Sequence, residues 1–200
     1  MPPGASDADR DLVWRVVTRT AVRDYRIFRS LAVRAAHPRT GDERDFTVLE
    51  VPDWVNVIAL TPSDDVVLIR QYRHGAEQVH VEIPGGMVDP GEDHAAAARR
   101  ELAEETGYTS ATWRHVGTAQ PNPAIHGNRL HTWLALDAER TQPCEPDAGE
   151  VISVFTSPLG EVTKMLRDGR IDHALVLAAF AHLLVAAGDL HRPAPAVKSP

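Results

Sequence analysis

The sequence predicts an α/β (α+β) layered domain preceded by a small antiparallel β extension. Three observations carry this. From Trp14 to Glu50, short β-branched apolar stretches alternate with turn signals. The run WVNVIAL (54–60) is nearly all apolar, as a strand covered on both faces must be. Within residues 94–106, AAAARRELAEE consists almost entirely of strong helix formers. Strands with helices interspersed pack as layers around a common core.

The elements follow in order. VVTRTAV, YRIFRSLAV and FTVLEV read as strands, with HPRTGDER turning between the last two. WVNVIAL is a buried central strand, TPSDD a turn, and VVLIRQYR (66–73) the next strand. VHVEI (79–83) follows, and Pro84-Gly85-Gly86 breaks it. A helix spans His94 to Thr106, with Asp93 as N-cap and Gly107 placed to end it. TWRHVGTA carries no assignment, QPNPAIHGN is a loop, and RLHTWLALD (129–137) holds a strand. Beyond the acidic loop CEPDAGE come the strand VISVF and two helices, LGEVTKMLRDG and ALVLAAFAHLLVAA.

Two hundred residues suit one domain with a small extra module. The divisions are a disordered N-terminus (1–10), the β extension (11–50), the main domain (51–190) and a disordered tail (191–200). The extension is too short to be a domain alone. A net charge of −7 gives no global field toward nucleic acid or anionic membrane, so neither is expected as a partner. The single cysteine, Cys144, excludes an internal disulfide and fits a reducing cytoplasm. No signal peptide is evident. The most apolar run, Ala174 to Gly188, is too short to span a bilayer about 30 Å thick.

Glu101, Glu104 and Glu105 stand at i, i+3 and i+4, on nearly one helix face. Like charges so placed destabilise a helix by roughly 0.2–0.5 kcal/mol per pair. One explanation is a solvated face whose acids pair with Arg99 and Arg100. The other is a cation site. Glu92 adds a fourth carboxylate, and the glycine-rich entry frees backbone carbonyls. Oxygen ligands suit Mg²⁺, with Mn²⁺ a substitute, and the lack of cysteine there argues against zinc.

From Gly86 the chain reads G-x5-E-x7-R-E-L-x-E-E-x-G-Y, through Glu92, Arg100, Glu101, Leu102, Glu104, Glu105, Gly107 and Tyr108. This resembles the box of the Nudix hydrolases at every fixed position. The resemblance covers roughly residues 45 to 185. It implies a Nudix fold, a mixed sheet sandwiched between helices, and metal-dependent hydrolysis of a nucleoside diphosphate linked to another group. It makes Glu101 and Glu105 the main Mg²⁺ ligands, Glu104 a further ligand or contact to a metal-bound water, and the Gly85 carbonyl a backbone ligand. Glu92 and Arg100 then brace the motif with Gly86 and Gly107, while Leu102 and Tyr108 pack it into the core.

The flanks resemble the branch that cleaves ADP-ribose and nucleoside diphosphate sugars: RQYR, then EIPGG leading into the box, then Pro123 fifteen residues past Tyr108. The loop QPNPAI and the following Asn128-Arg129 lack the glycine common in strict ADP-ribose hydrolases, which widens the substrate to nucleoside diphosphate sugars. Candidate substrate contacts are Arg70, Arg73, Glu82, Trp54, Pro123 and Arg129. Arg70 and Arg73 alternate along one strand, so one of them is placed to reach phosphate. Trp54 reads more readily as a core or interface residue, and the alternative for Glu82 is an edge-strand carboxylate. Glu145, Asp147 and Glu150 are candidates for the general base, Glu150 favoured because it closes a glycine-bearing loop. His126 and His131 receive no catalytic role. The branch also implies a homodimer joined through the N-terminal segment. Two alternatives stay open: a non-catalytic ADP-ribose or nucleotide-sugar binding module, and a hydrolase of another derivative such as NADH, a dinucleoside polyphosphate or a nucleoside triphosphate.

Overall fold

The computed structural model describes residues 7–146 and 149–188. Most of the expected N-terminal disordered segment, all of the expected 191–200 tail and Asp147 lie outside the described residues. The chain forms two compact units. The first runs to Pro52 and takes in Gln120–Asn128; the second holds Asp53–Ala119 and the described residues from Arg129 onward.

The first unit is a 3-10 turn (Asp7–Leu12) and an antiparallel sheet of β1 (Arg15–Asp24), β2 (Arg29–Ala36) and β3 (Glu43–Glu50), in that order. The strand expected from Tyr25 begins only at Arg29. Arg26 takes a positive φ of 73°, and its N–H donates to Asp24 Oδ1 at 2.7 Å, so the hairpin turns there. The loop Gln120–Asn128 joins this unit through Leu49, whose N–H donates to the Ile125 carbonyl at 2.8 Å.

In the second unit, β4 (Trp54–Ala59), β5 (Asp65–Arg73), β6 (Gln78–Glu82) and β7 (Gly85–Met87) precede α1 (His94–Thr106). Then come β8 (Tyr108–Thr109), β9 (Thr112–Ala119), β10 (Leu130–Leu136), β11 (Glu139–Arg140), β12 (Ile152–Pro158), α2 (Leu159–Arg167) and α3 (Ala174–Ala186). One sheet has the order β7-β4-β10-β9, with β4 and β10 parallel; another has the order β12-β5-β6; β11 and β8 form a short pair. TWRHVGTA, unassigned above, is strand β9 paired antiparallel to β10.

The apolar run of β4 is buried on both faces, as its composition requires. Val55, Val57 and Ala59 pack with Ala97, Ala98 and Leu102 of α1. Ile58 and Leu60 pack with Val162 of α2 and Val176, Ala179 and Phe180 of α3. The mixed sheet thus lies between helices. None of the described helices is long and apolar enough to cross a membrane.

One expected break is a strand. Gly85-Gly86 forms β7, which pairs with β4 at Asn56 and Val55. A Cβ on Gly85 would strike the Val55 carbonyl and come within 2.8 Å of the Asn56 Cα. Glycine here allows a backbone to lie against a backbone where any side chain would hold them apart.

Candidate active site

α1 begins and ends as its sequence dictates. The Asp93 carboxylate accepts from the Ala95 N–H at 3.1 Å, and Gly107 takes φ 74° while its N–H donates to the Ala103 carbonyl. Between these caps, Ala97, Ala98 and Leu102 turn into the core, and Tyr108 packs beside them. That register turns Glu105 onto Gly85 and Glu101 onto Gly86 of β7.

Glu105 is the clearest departure from a solvated helix face. It is 2% exposed, and its Oε2 accepts from the Gly85 N–H at 2.9 Å. Burial pushes its carboxyl up to about 8, and the nearby Glu101 and Glu150 push the same way, while the Gly85 N–H and Arg73 oppose. Burial also raises the Glu101 pKa, against the pull of Arg100. Among the described residues, these carboxyls are short of positive charge.

Arg100 carries the side-chain compensation of Glu101 and Glu104. Its Nη1 donates to Glu101 Oε1 at 2.9 Å and to Glu104 Oε2 at 3.2 Å. Its Nε and Nη2 donate to Glu92 at 3.1 and 3.0 Å, and Nη2 also reaches the Met87 carbonyl at 3.0 Å. Glu92 in turn accepts from the Asp89 N–H at 3.1 Å. Arg100 and Glu92 therefore lace the loop before α1 onto the helix, and Arg100 holds the Glu92 carboxyl below its usual range. Gly86 completes the packing, because a Cβ there would run into the Glu101 carboxylate.

A cavity of about 840 Å³ lies over this cluster. Of the residues singled out in the sequence, Gly85, Gly86, Arg100, Glu101, Glu104, Glu105, Glu150, Glu82, Arg73 and Trp54 line it. Glu82 is buried and grips Arg73 in a bidentate pair at 2.7 and 2.8 Å. That pair uses Nε and Nη2 of Arg73, leaving Nη1. It also raises the Arg73 pKa, so the guanidinium stays charged.

Other candidates fall elsewhere. Arg70 does not line the cavity; its guanidinium lies 4.0 Å from the centre of the Phe155 ring, a cation–π contact. Strand alternation sends residues three apart to opposite faces, which separates Arg70 from Arg73. Arg129 is exposed, with its N–H on Asp53 Oδ1 at 2.7 Å, and is not part of the cavity wall. Pro123 is exposed in the first unit. Glu145 donates its N–H to the Glu104 carbonyl at 2.8 Å, which ties the start of the acidic loop to α1. His131 stacks on His94 with ring centroids 4.1 Å apart, beside His115 and Trp133.

The cavity also takes in residues that sequence reasoning passed over: Asn56, His80, Asp172, His173 and the first turn of α3. Nothing local marks them. Asp172-His173 is only the polar pair before an apolar helix, and Asn56 is the one polar residue in a buried strand.

The donor set suits a hard divalent cation: the carboxylates of Glu101, Glu104 and Glu105, with Gly85 in the same cavity wall, offer oxygen alone. A carboxyl pushed up to about 8 by burial and its acidic neighbours is one that a cation would relieve. Among the described residues no three His, Cys, Asp or Glu side chains are arranged around a common metal position. Arg100 spans Glu101 and Glu104 in this arrangement.

Comparison with known proteins agrees with the geometry. A family model described as NUDIX domain matches residues 52–180. The chain is 28% identical over 137 residues to an ADP-ribose pyrophosphatase of Bacillus subtilis, covering 68% of this chain and 74% of that protein. It is 28% identical, over the same length and shares, to a methanol dehydrogenase activator of Bacillus methanolicus. A crystal structure of ADP compounds hydrolase superposes with a TM-score of 0.76 at 23% identity, over 88% of this chain and 96% of that one.

Proposed function

Given that the chain belongs to the NUDIX family and is a Nudix hydrolase, we propose that it cleaves the diphosphate bond of a nucleoside diphosphate sugar, with ADP-ribose foremost. The products would be a nucleoside monophosphate and a sugar phosphate. The observation that carries this reading is the buried, charge-deficient Glu105 at the floor of a cavity large enough for a nucleotide-sized ligand. The similarity to an ADP-ribose pyrophosphatase is the reason to test ADP-ribose first.

Glu101, Glu104 and Glu105, with the Gly85 carbonyl, would hold Mg²⁺, with Mn²⁺ as a substitute. A cation held there would supply charge neutralisation for the diphosphate and would make the attacking water more acidic. Arg73 orients a phosphate oxygen through Nη1, Glu82 holding its Nε–H and one Nη2–H. Glu150 lines the same cavity and accepts the proton of the attacking water on its carboxylate. The new bond joins the water oxygen to phosphorus. The bond from phosphorus to the bridging oxygen breaks, and the leaving phosphate keeps that electron pair. Trp54 supplies an apolar wall. Glu92, Arg100, Gly86 and Gly107 keep the loop and helix in register.

The same reading places the enzyme in the cytoplasm as a homodimer. Its first unit exposes Val16, Val22 and Ile27, apolar surface that a second copy would cover. Light scattering that returns a monomer at micromolar concentration would remove the dimer. The function is tested by a panel of ADP-ribose, GDP-mannose, UDP-glucose, NADH, a diadenosine polyphosphate and dGTP with Mg²⁺, reading phosphate after phosphatase coupling. Turnover of the diphosphate sugars is the expected result. Turnover of dGTP alone, or of nothing, would overturn it.

A further inference from the structure

The cavity has a second polar end that catalysis does not use. His80, Asp172 and His173 line it together with the first turn of α3. His80 is held at both ring nitrogens: Nδ1 meets Asp172 Oδ1 at 3.0 Å and Nε2 meets Gln78 Nε2 at 3.3 Å. It is a strut. His173 differs. As N-cap of α3 it makes no side-chain capping bond, and its Nδ1 is buried with no partner. Burial lowers its pKa, so the neutral ring carries one N–H. An orphaned buried donor is rarer than an under-satisfied buried acceptor. The proton therefore belongs on Nε2, and Nε2–H is what the ring has to offer a ligand.

The surroundings select the ligand's chemistry. Ile83, Leu130, Leu175 and Val176 make much of the adjoining wall apolar. The Asp172 carboxylate acts on His173 electrostatically and would repel a phosphate, while the charge of Glu82 is matched by Arg73. Asp172 spends one oxygen on His80, and its side chain is 57% exposed, so acceptor capacity remains. A neutral N–H donor beside a carboxylate acceptor complements hydroxyl groups on an uncharged ring.

Asn56 ties this end to the strand beside the carboxylates. Its Nδ2 donates to the Leu175 carbonyl at 3.1 Å, which anchors the first turn of α3. That bond also fixes the amide orientation, since a flipped amide would set two oxygens against each other. Asn56 pairs across the sheet with Gly85, whose N–H donates to Glu105. Arg73, placed on phosphate above, also acts electrostatically on His173, so the hydroxyl-binding end adjoins the phosphate position. The group bonded directly to a diphosphate held there is the one that reaches it. In a nucleoside diphosphate sugar that group is a sugar on either side.

We propose that His173 and Asp172 bind the hydroxyls of a phosphate-linked sugar and so set the enzyme's preference for diphosphates that carry one. The proposal rests on the diphosphate-hydrolase reading above.

Three substrates separate the possibilities: ADP-ribose, the β-methyl ester of ADP, which has no terminal sugar, and the same ester of 2′,3′-dideoxyadenosine diphosphate, which has no hydroxyl on either side. His173→Ala should raise KM for ADP-ribose about tenfold, the loss of one hydrogen bond, with kcat within about twofold and the dideoxy ester unaffected. A loss on ADP-ribose alone assigns the terminal sugar. A loss on both hydroxyl-bearing substrates assigns the nucleoside ribose. Equal losses on all three, or none, overturn the proposal. His173→Gln keeps a donor and should recover part of the loss. Asp172→Asn keeps an acceptor for His80 and should raise KM on the same substrates as His173→Ala. A role only in seating α3 would instead lower Tm and kcat alike on every substrate. Should the wild type cleave none of them, the hydrolase reading fails by itself. Calorimetric binding of ADP-ribose to wild type and His173→Ala then decides the sugar contact, a tenfold weaker Kd supporting it and an unchanged Kd overturning it.

Discussion

Two helices of this protein carry dense charge, and their fates are opposite. On and after α2, Glu161 pairs with Lys164 at 3.0 Å and with Arg170 at 3.1 Å, and Arg170 pairs with Asp168 at 2.8 Å. Acids and bases are matched there and face solvent, and each carboxyl sits below its usual range because its partner favours the ionised form. On and before α1, Glu92, Glu101 and Glu104 share one arginine, and Glu105 has a backbone N–H instead. Burial pushes the Glu101 and Glu105 carboxyls up rather than down. Charge density alone does not separate a solvated face from a site. Burial with an excess of one sign does.

The contrast is most sharply tested by Glu105→Gln. It should lower kcat about a thousandfold, equivalent to several kcal/mol of transition-state charge stabilisation, with the circular dichroism of the wild type retained. Glu161→Gln should leave kcat unchanged. Equal effects of the two would erase the distinction.

Gly86→Ala comes next. The added methyl group meets the Glu101 carboxylate, so it should raise the Mg²⁺ concentration for half-maximal activity about ten- to a hundredfold. Titration of activity with Mg²⁺ measures this, and an unchanged midpoint would mean that Glu101 has room to move.

A third test uses pH. The Glu105 carboxyl stands at about 8 in the fold, above its ordinary 4.5. Folding therefore takes up a proton, and the stabilisation is fully present below about 4.5 and lost as pH rises through 8. Without added metal, the Tm of the wild type relative to Glu105→Gln should fall steadily from pH 5 to pH 8. Excess Mg²⁺ should flatten or reverse that slope, because it stabilises the ionised form. A slope unaffected by Mg²⁺ would place the cation elsewhere. Below about 6.5 the lowered pKa values of His115 and His131 oppose folding as these rings take on charge, which the difference between the two proteins cancels.

The smallest effect belongs to the solvated cluster itself. Asp168→Asn should leave both activity and Tm within error, since exposed pairs contribute little and are screened by salt. A clear fall in Tm would show that the two helices differ less than their burial indicates.

Much of this was legible along the chain. The run WVNVIAL could only be a doubly covered strand, and Asp93 and Gly107 fix the ends of α1 by local hydrogen bonding and a positive φ. The spacing of Glu101, Glu104 and Glu105 placed them on one face before any packing was known. Local chemistry and a period of 3.6 residues suffice for such statements. They fail where the determining contact is distant in sequence. Arg70 and Arg73 look equivalent on a strand, yet only Arg73 meets Glu82, because strand alternation and the pairing of β5 with β6 sort them. Gly85-Gly86 reads as a break until β4 lies beside it.

The sequence by itself determined the acid-rich helix, its caps and the clustering of carboxylates along one face. Tertiary structure alone decided that Glu105 is buried, that Arg73 is locked by Glu82, and that Asn56, Asp172 and His173 share the cavity with them. The reason is physical. Helix register and capping are set within a few residues, whereas desolvation, and with it the raised carboxyl of Glu105, comes into being only when distant strands and helices close around it.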